Sequence, residues 1–347
     1  MAKSSAAGRS VVSLRGAGTK SLSLHEMIDR SLVIEVVRVT EHAAVAAARL
    51  RGRGDEMAAD QAAVDAMRRM LNALPIQGTV VIGEGERDAA PMLYIGEEVG
   101  DPAGPRFDIA LDPLEGTTLC AKDQPGAITA IALAEPGTLL NAPDVYMDKI
   151  AIGPGYPEDT VHLDWSPAEN IARLAKAKGV SVREITACVL DRPRHARLLE
   201  AIRGTGASVR LIADGDIAGV VDATNPNDTG VDIYLGVGGA PEGVLAAAAL
   251  KCLGGFMQGR LLLDDPESRR RAAEMGISDP RRVYSVSDMA AGDVLFAATG
   301  VTGGGMLAGV RFGPEGIVTE TIVMRHSTGA RRRIRSEHRM TGRFDRA

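Results

Sequence analysis

The chain has 347 residues, 45% of them hydrophobic and 24% charged, with a formal net charge of −5 and a pI near 5.8. That balance excludes a general nucleic-acid binder, which needs a basic face, and no apolar run reaches the roughly 18 residues that span a bilayer. Cys120, Cys188 and Cys252 are odd in number, widely spaced and free of any CxxC pattern, so they read as buried thiols of a reducing, cytoplasmic compartment.

Residues 1–30 are rich in Ser, Ala, Gly, Arg and Lys, and no acid precedes Glu26. An organelle transit peptide has a similar composition, but the segment is read as a disordered tail. Residues 31–50, SLVIEVVRVTEHAAVAAARL, lack Gly and Pro and predict a long helix with a wide apolar face. A second helix is expected from about Asp60 to Leu74, after the turn-like RGRGD. TVVI (79–82) reads as a strand stopped by Gly83-Glu84-Gly85, followed by a short helix from about Ala90 to Glu98. RFDIAL and AITAIALAE are the next two strands.

Beyond a Gly/Pro cluster between Pro154 and Pro167, strands and helices alternate. Helices are expected at 168–178, 195–203, 216–223 and 242–253, and strands at ITACVL, SVRLIA and VDIYLGV. Such alternation predicts a layered α/β sheet. EGIVTETIVMR and RRRIRSEHRM, joined by a Ser-Thr-Gly turn, read as a β-hairpin. The eight arginines after Met324 are read as a solvated edge strand, since edge charge suppresses strand-to-strand aggregation. The chain divides into the tail at 1–30, an N-terminal metal- and phosphate-binding α+β domain at 31–160, and a C-terminal α/β sugar-phosphate-binding domain at 161–347.

The chemistry is expected where strands end. Glu84 sits between two glycines at a strand exit. In DIALDPLEGTT, Asp112 is read as ending its strand, because Pro113 has no N–H to continue the ladder, and Glu115 follows on the turn. Gly116, Thr117 and Thr118 then offer hydroxyls and turn amides that can cradle phosphate. Carboxylate oxygens without Cys or paired His select Mg²⁺ or Mn²⁺ over zinc. The alternative is a plain helix start with Glu115 complementing the macrodipole. Three further motifs, DRPRH, ADGD and GGAPEG, each follow a predicted strand and precede a helix, so they could line one crevice. Arg192 and Arg194 would clamp a second phosphate. Asp214 and Asp216 would meet sugar hydroxyls or cap a helix, and Glu242 would join the carboxylates or merely occupy a first helical turn.

Together, RGRGDEMAADQAAVDAMR, GTVVIGEGERDAAPMLYIGEEVG, DIALDPLEGT, NAPDVYMDK, RPRH, DGD and GGAPEG resemble the class II fructose-1,6-bisphosphatases of the lithium-sensitive phosphatase superfamily, over roughly Ser31 to Arg346. The GEGERDAAPMLYIGEEVG block is the specific part; DPLEGT belongs to the wider superfamily. The resemblance implies an α-β-α-β-α sandwich assembled as a homodimer or homotetramer. It implies two divalent ions, Mn²⁺ or Mg²⁺, one held by Asp60 and Glu84 and the other by Asp112, Glu115 and Glu242. Asp88 would be catalytic with Thr117 and Glu84. Glu115, Gly116, Thr117, Tyr146, Arg192, Pro193, Arg194, Asp214, Gly215, Asp216 and Gly239 would contact substrate. The implied reaction is hydrolysis of the 1-phosphate of fructose 1,6-bisphosphate, with sedoheptulose 1,7-bisphosphate as a second substrate in a dual enzyme. A non-catalytic sugar-phosphate sensor is the rival of a different class. Two positions depart from the family pattern: Glu56, where Lys is common, and Arg192, also commonly Lys. His42 and His195 are read as structural.

Overall fold

The computed structural model describes residues 32–85 and 92–339. The expected tail therefore lies outside the described residues, as does most of the stretch around Asp88. The first helix, α1 (Val33–Ala48), buries a Val/Ala face. The second, α2 (Glu56–Leu71), starts four residues earlier than the sequence reading placed it. Asp55 caps it by accepting the Ala58 amide at 2.9 Å, and Glu56 occupies the exposed first turn, where an acid complements the dipole.

Two mixed sheets follow. Their strands are β1 (Gln77–Ile82), β2 (Glu98–Gly100), β3 (Arg106–Glu115), β4 (Ile128–Ala134), β5 (Tyr146–Ile152), β6 (Thr186–Leu190), β7 (Ser208–Ile212), β8 (Ile233–Gly239), β9 (Phe256–Leu261), β10 (Tyr284–Ser285), β11 (Val294–Gly300), β12 (Arg311–Gly313), β13 (Gly316–Arg325) and β14 (Ala330–His338). The first sheet runs β2-β1-β3-β4-β11-β13, with β12 and β14 both paired to β13; the second runs β7-β6-β8-β5-β9-β10. Between the strands lie α3 (Thr117–Ala121), α4 (Pro167–Lys178), α5 (Ala196–Gly204), α6 (Asp216–Asp222), α7 (Pro226–Thr229), α8 (Ala240–Leu253), α9 (Pro266–Glu274) and α10 (Val286–Met289).

Three apolar layers hold this stack together. α1 and α2 pack Val36, Val39, Met67 and Leu71 on one face of the first sheet. The buried helix α8, with α6, fills the space between the sheets. α4 and α5 cover the far face of the second sheet through Ile171, Leu174, Leu199 and Ile202. The order is α-β-α-β-α, as the resemblance implied. Burial of both faces explains why β4 and β11 read as continuous apolar runs and not as alternating ones.

Two expectations are corrected. Residues 92–97, inside the helix expected at 90–98, form turns, and Glu98 begins a short antiparallel strand against Thr79. β3 does not stop at Asp112. It continues to Glu115 through a register shift in which two residues of β3 oppose one of β4, and this irregularity accommodates the missing N–H of Pro113. The sheets also divide the chain differently from a single boundary near 160. β11 to β14 return to the first sheet, with β11 antiparallel to β4 across seven residue pairs from Val294↔Ala134 to Gly300↔Ile128. The C-terminal hairpin is present, and its arginine-bearing strand β14 forms an edge.

Where α1 crosses the sheet, a buried hydroxyl chain replaces apolar contact. Thr299 donates to Thr40 at 2.7 Å and lies 2.8 Å from the Thr321 hydroxyl. Thr299→Val keeps the shape but removes the central hydroxyl, so unfolding in urea should show a loss of about 1–2 kcal/mol. A loss below about 0.5 kcal/mol would show that this chain does not dock the helix.

Candidate active site

The ends of β1, β3, β6, β7 and β8 open on one cleft of about 790 Å³. Asp60, Glu84, Asp112, Glu115, Gly116, Thr117, Tyr146, Arg192, Arg194, Asp214, Gly215, Asp216, Gly239 and Glu242 all line it. Pro193 does not. It is exposed on the 3-10 turn Pro193–His195, and its role there is to set the turn between the two arginines. Asp88 lies outside the described residues.

Four elements deliver the five acids. Asp60 projects from the second turn of α2, and Glu84 follows β1, its amide bonded to the Leu93 carbonyl at 3.0 Å. Asp112 precedes the β3 irregularity and accepts the Leu114 amide at 3.1 Å. Glu115 ends β3, where Gly116, at φ 84°, turns the chain into α3. Glu242 comes from the first turn of α8. The sequence needs glycine twice here because acids press against the backbone: a Cβ on Gly238 would collide with Asp216 Oδ2, and one on Gly239 with Glu242 Oε2.

Burial and mutual repulsion push these acids toward their neutral forms. Glu84 is raised to about 8, first by burial and then by Asp60 and Glu242. Asp112 is held well above the carboxylate range by burial, then by Glu115, Glu84, Glu242 and Asp60. Glu115 is also raised well above it, by burial and then by Asp216. Burial raises Asp60, and burial followed by Asp216 raises Glu242. Glu115 Oε2 and Glu242 Oε2 are buried without a hydrogen-bond partner. Among the described residues, no three His, Cys, Asp or Glu side chains stand close enough together to hold a metal ion. The donor set thus fits a hard divalent cation in kind, through oxygen ligands, unpaired lone pairs and surplus negative charge, while its members stand apart around the cleft.

The cleft also carries cations. Arg192 Nη2 meets Asp214 Oδ1 at 2.9 Å, and Arg192 Nη1 donates to the Ala213 carbonyl. Arg194 donates through Nε and Nη2 to the Val237 carbonyl, at 3.1 and 2.7 Å, and stacks 4.7 Å from the ring centre of Tyr146. Buried His195 secures the same turn: its Nδ1 lies 2.7 Å from the Leu190 carbonyl and its Nε2 accepts the Val237 amide at 2.8 Å. This bridge fits the structural role read for it.

Glu115 joins the two sheets. Its Oε1 accepts the Ile217 amide of α6 at 2.6 Å, which brings the ADGD loop against the end of β3. Sequence reasoning missed Lys149, buried beneath the cleft, and Asp144, Asp265, Ser268 and Arg271 at its rim. A signal for Lys149 existed. It falls in the inward phase of β5, with Met147 and Ala151, in a strand otherwise ready for burial.

A model of the bacterial, glpX-encoded fructose-1,6-bisphosphatase family matches residues 30–338. The chain is 45% identical, over 340 residues, to the D-fructose 1,6-bisphosphatase class 2/sedoheptulose 1,7-bisphosphatase of Synechococcus sp. (strain JA-3-3Ab), covering 91% of this chain and 97% of that protein. It is 43% identical, over 336 residues, to the protein of the same description from Synechococcus elongatus, covering 90% and 97%.

The raised acids set a pH dependence for the protein in chelator. Glu84 keeps its proton in the folded state up to about 8 but releases it near 4.5 when unfolded. Stability from this group is therefore full below 4.5 and declines as pH rises from there through 8, by up to about 5 kcal/mol. The melting temperature in chelator should fall between pH 5 and 8, and less steeply in Glu84→Gln. Equal slopes in the two proteins would refute the repulsion.

Proposed function

The chain belongs to the glpX-encoded family of bacterial fructose-1,6-bisphosphatases, metal-dependent phosphatases of sugar bisphosphates, and we propose that it removes the 1-phosphate of fructose 1,6-bisphosphate in the cleft between its sheets. The observation that carries this reading is the polarity of the cleft. Buried carboxylate oxygens without partners, on Glu115 and Glu242, and two arginines, Arg192 and Arg194, belong to residues lining the same cleft. A bisphosphate has an anion at each end, so the arginines can receive the phosphate that the carboxylates do not.

On the resemblance, Asp60, Glu84, Asp112, Glu115 and Glu242 would together hold two divalent ions, Mn²⁺ or Mg²⁺. Bound ions supply charge neutralisation, polarisation of the phosphoryl oxygens and a more acidic water. The chain's own residues then do the positioning. Thr117 offers a hydroxyl to the attacking water, and Glu84 or Asp88 accepts its proton. The Gly116 and Thr117 amides face the equatorial oxygens as charge redistributes over them.

At the far end, Arg194 receives the second phosphate as a rigid fork, since its guanidinium is held between the Val237 carbonyl and the Tyr146 ring. Arg192 closes on the same phosphate beside Asp214, whose carboxylate, with Asp216 Oδ1, accepts sugar hydroxyls. Sedoheptulose 1,7-bisphosphate presents the same two ends one carbon further apart, and both relatives named above carry that activity in their descriptions. We therefore place it as a second substrate. Among the described residues no helix is long and apolar enough to cross a membrane; a cytoplasmic homodimer or homotetramer is proposed on the resemblance.

Phosphate release from both bisphosphates should require Mn²⁺ or Mg²⁺, vanish in chelator and return on re-addition. Binding of either sugar without metal-dependent release would instead indicate the sensor. Arg194→Ala should raise KM about tenfold with kcat changed less than about threefold, the signature of a binding contact remote from the reacting phosphorus. An unchanged KM would remove Arg194 from the clamp.

A further inference from the structure

One cation beneath the cleft is used by none of these roles. Lys149 has a side chain that is 0% exposed, on the β5 strand three residues after Tyr146. Its ammonium donates to Asp216 Oδ2 and, at 2.6 Å, to the Gly239 carbonyl. The Tyr234 hydroxyl approaches the same Asp216 oxygen at 3.4 Å. An ammonium is held in such surroundings only by compensating partners, because its desolvation costs several kcal/mol. The two it has are informative. Asp216 opens α6, whose next amide, on Ile217, is the donor to Glu115. Gly239 is the residue before α8, whose first turn carries Glu242.

We propose that Lys149 is a positioning residue that fixes the separation of Glu115 and Glu242 and cancels the charge of Asp216 beside the bound sugar, an inference resting on the reaction assigned above. One ammonium thereby links the sugar-facing loop to the start of α8. Asp216 uses Oδ2 for Lys149, while its Oδ1 is buried without a hydrogen-bond partner. Without the cation, Asp216 loses its only charged partner among the described residues beside the bound sugar. The Gly239 carbonyl also loses its anchor, so Glu242 loses its fixed origin. The same charge offsets part of the rise imposed on Glu242 by its acidic neighbours.

The test uses the full-length enzyme with fructose 1,6-bisphosphate and Mn²⁺. Lys149→Met should raise KM about tenfold and shift the half-saturating Mn²⁺ concentration at least about fivefold, with kcat at saturation within about threefold of the parent. Lys149→Arg should not rescue it, because a planar five-donor fork does not match two close acceptors. Lys149→Met combined with Asp216→Asn leaves no unpaired charge buried, so it should recover most of a melting-temperature loss of about 5 °C while KM stays raised. KM and metal requirement both within about twofold of the parent in Lys149→Met would overturn the proposal, leaving Lys149 a packing element. If Lys149→Met does not fold, the double variant is compared with Asp216→Asn alone. A further rise of about fivefold in KM or metal requirement supports the anchor through Gly239, and values within about twofold refute it. A parent enzyme that releases no phosphate would overturn the reaction itself, an outcome distinct from any difference between variants.

Discussion

Five carboxylates facing one cleft repel one another, and the surrounding structure is organised around that repulsion. Left to water, Asp60, Glu84, Asp112, Glu115 and Glu242 would separate. Here they are fixed by a helix face, two strand exits and a helix start, so separation would require unfolding one of those elements. The stored electrostatic free energy is what a divalent cation would release on binding. It also explains the cations behind the cleft. Lys149 and Arg192 are paired with Asp216 and Asp214, so no cation pairs with any of the five acids in the same way among the described residues.

Much of this was legible in the sequence, for an identifiable reason. Short polar motifs at the ends of apolar runs survive translation into structure because strands end at the same edge of a sheet. DPLEG, RPRH, DGD and GGAPEG therefore reach one cleft although 100 residues and more separate the first from the last. The helix starts were harder. Asp55 advanced α2 beyond its apolar pattern, since capping is decided by one side chain and not by periodicity.

What the sequence hid was long-range pairing. Nothing local distinguishes VLFAATG from a strand of the second sheet, yet its partner is β4, some 160 residues earlier. The continuation of β3 past Pro113 was hidden too, because a proline stops a regular ladder but not an irregular one. Lys149 escaped notice because its meaning lies in two partners, Asp216 and Gly239, that only the fold brings to it.

The middle layer gives the alanine-rich composition a second meaning. Ala246, Ala247, Ala248 and Ala249 of α8 are fully buried, against strands themselves rich in alanine at β4 and β11. Side chains this small let a helix lie close to a sheet on both of its sides. The layer therefore acts as a gauge block, setting the gap that Glu115 must bridge from one sheet to reach Ile217 beside the other. Larger residues at those buried positions would pack as an apolar core equally well, but they would widen the gap. The width of the cleft is thereby set by alanines that do not line it.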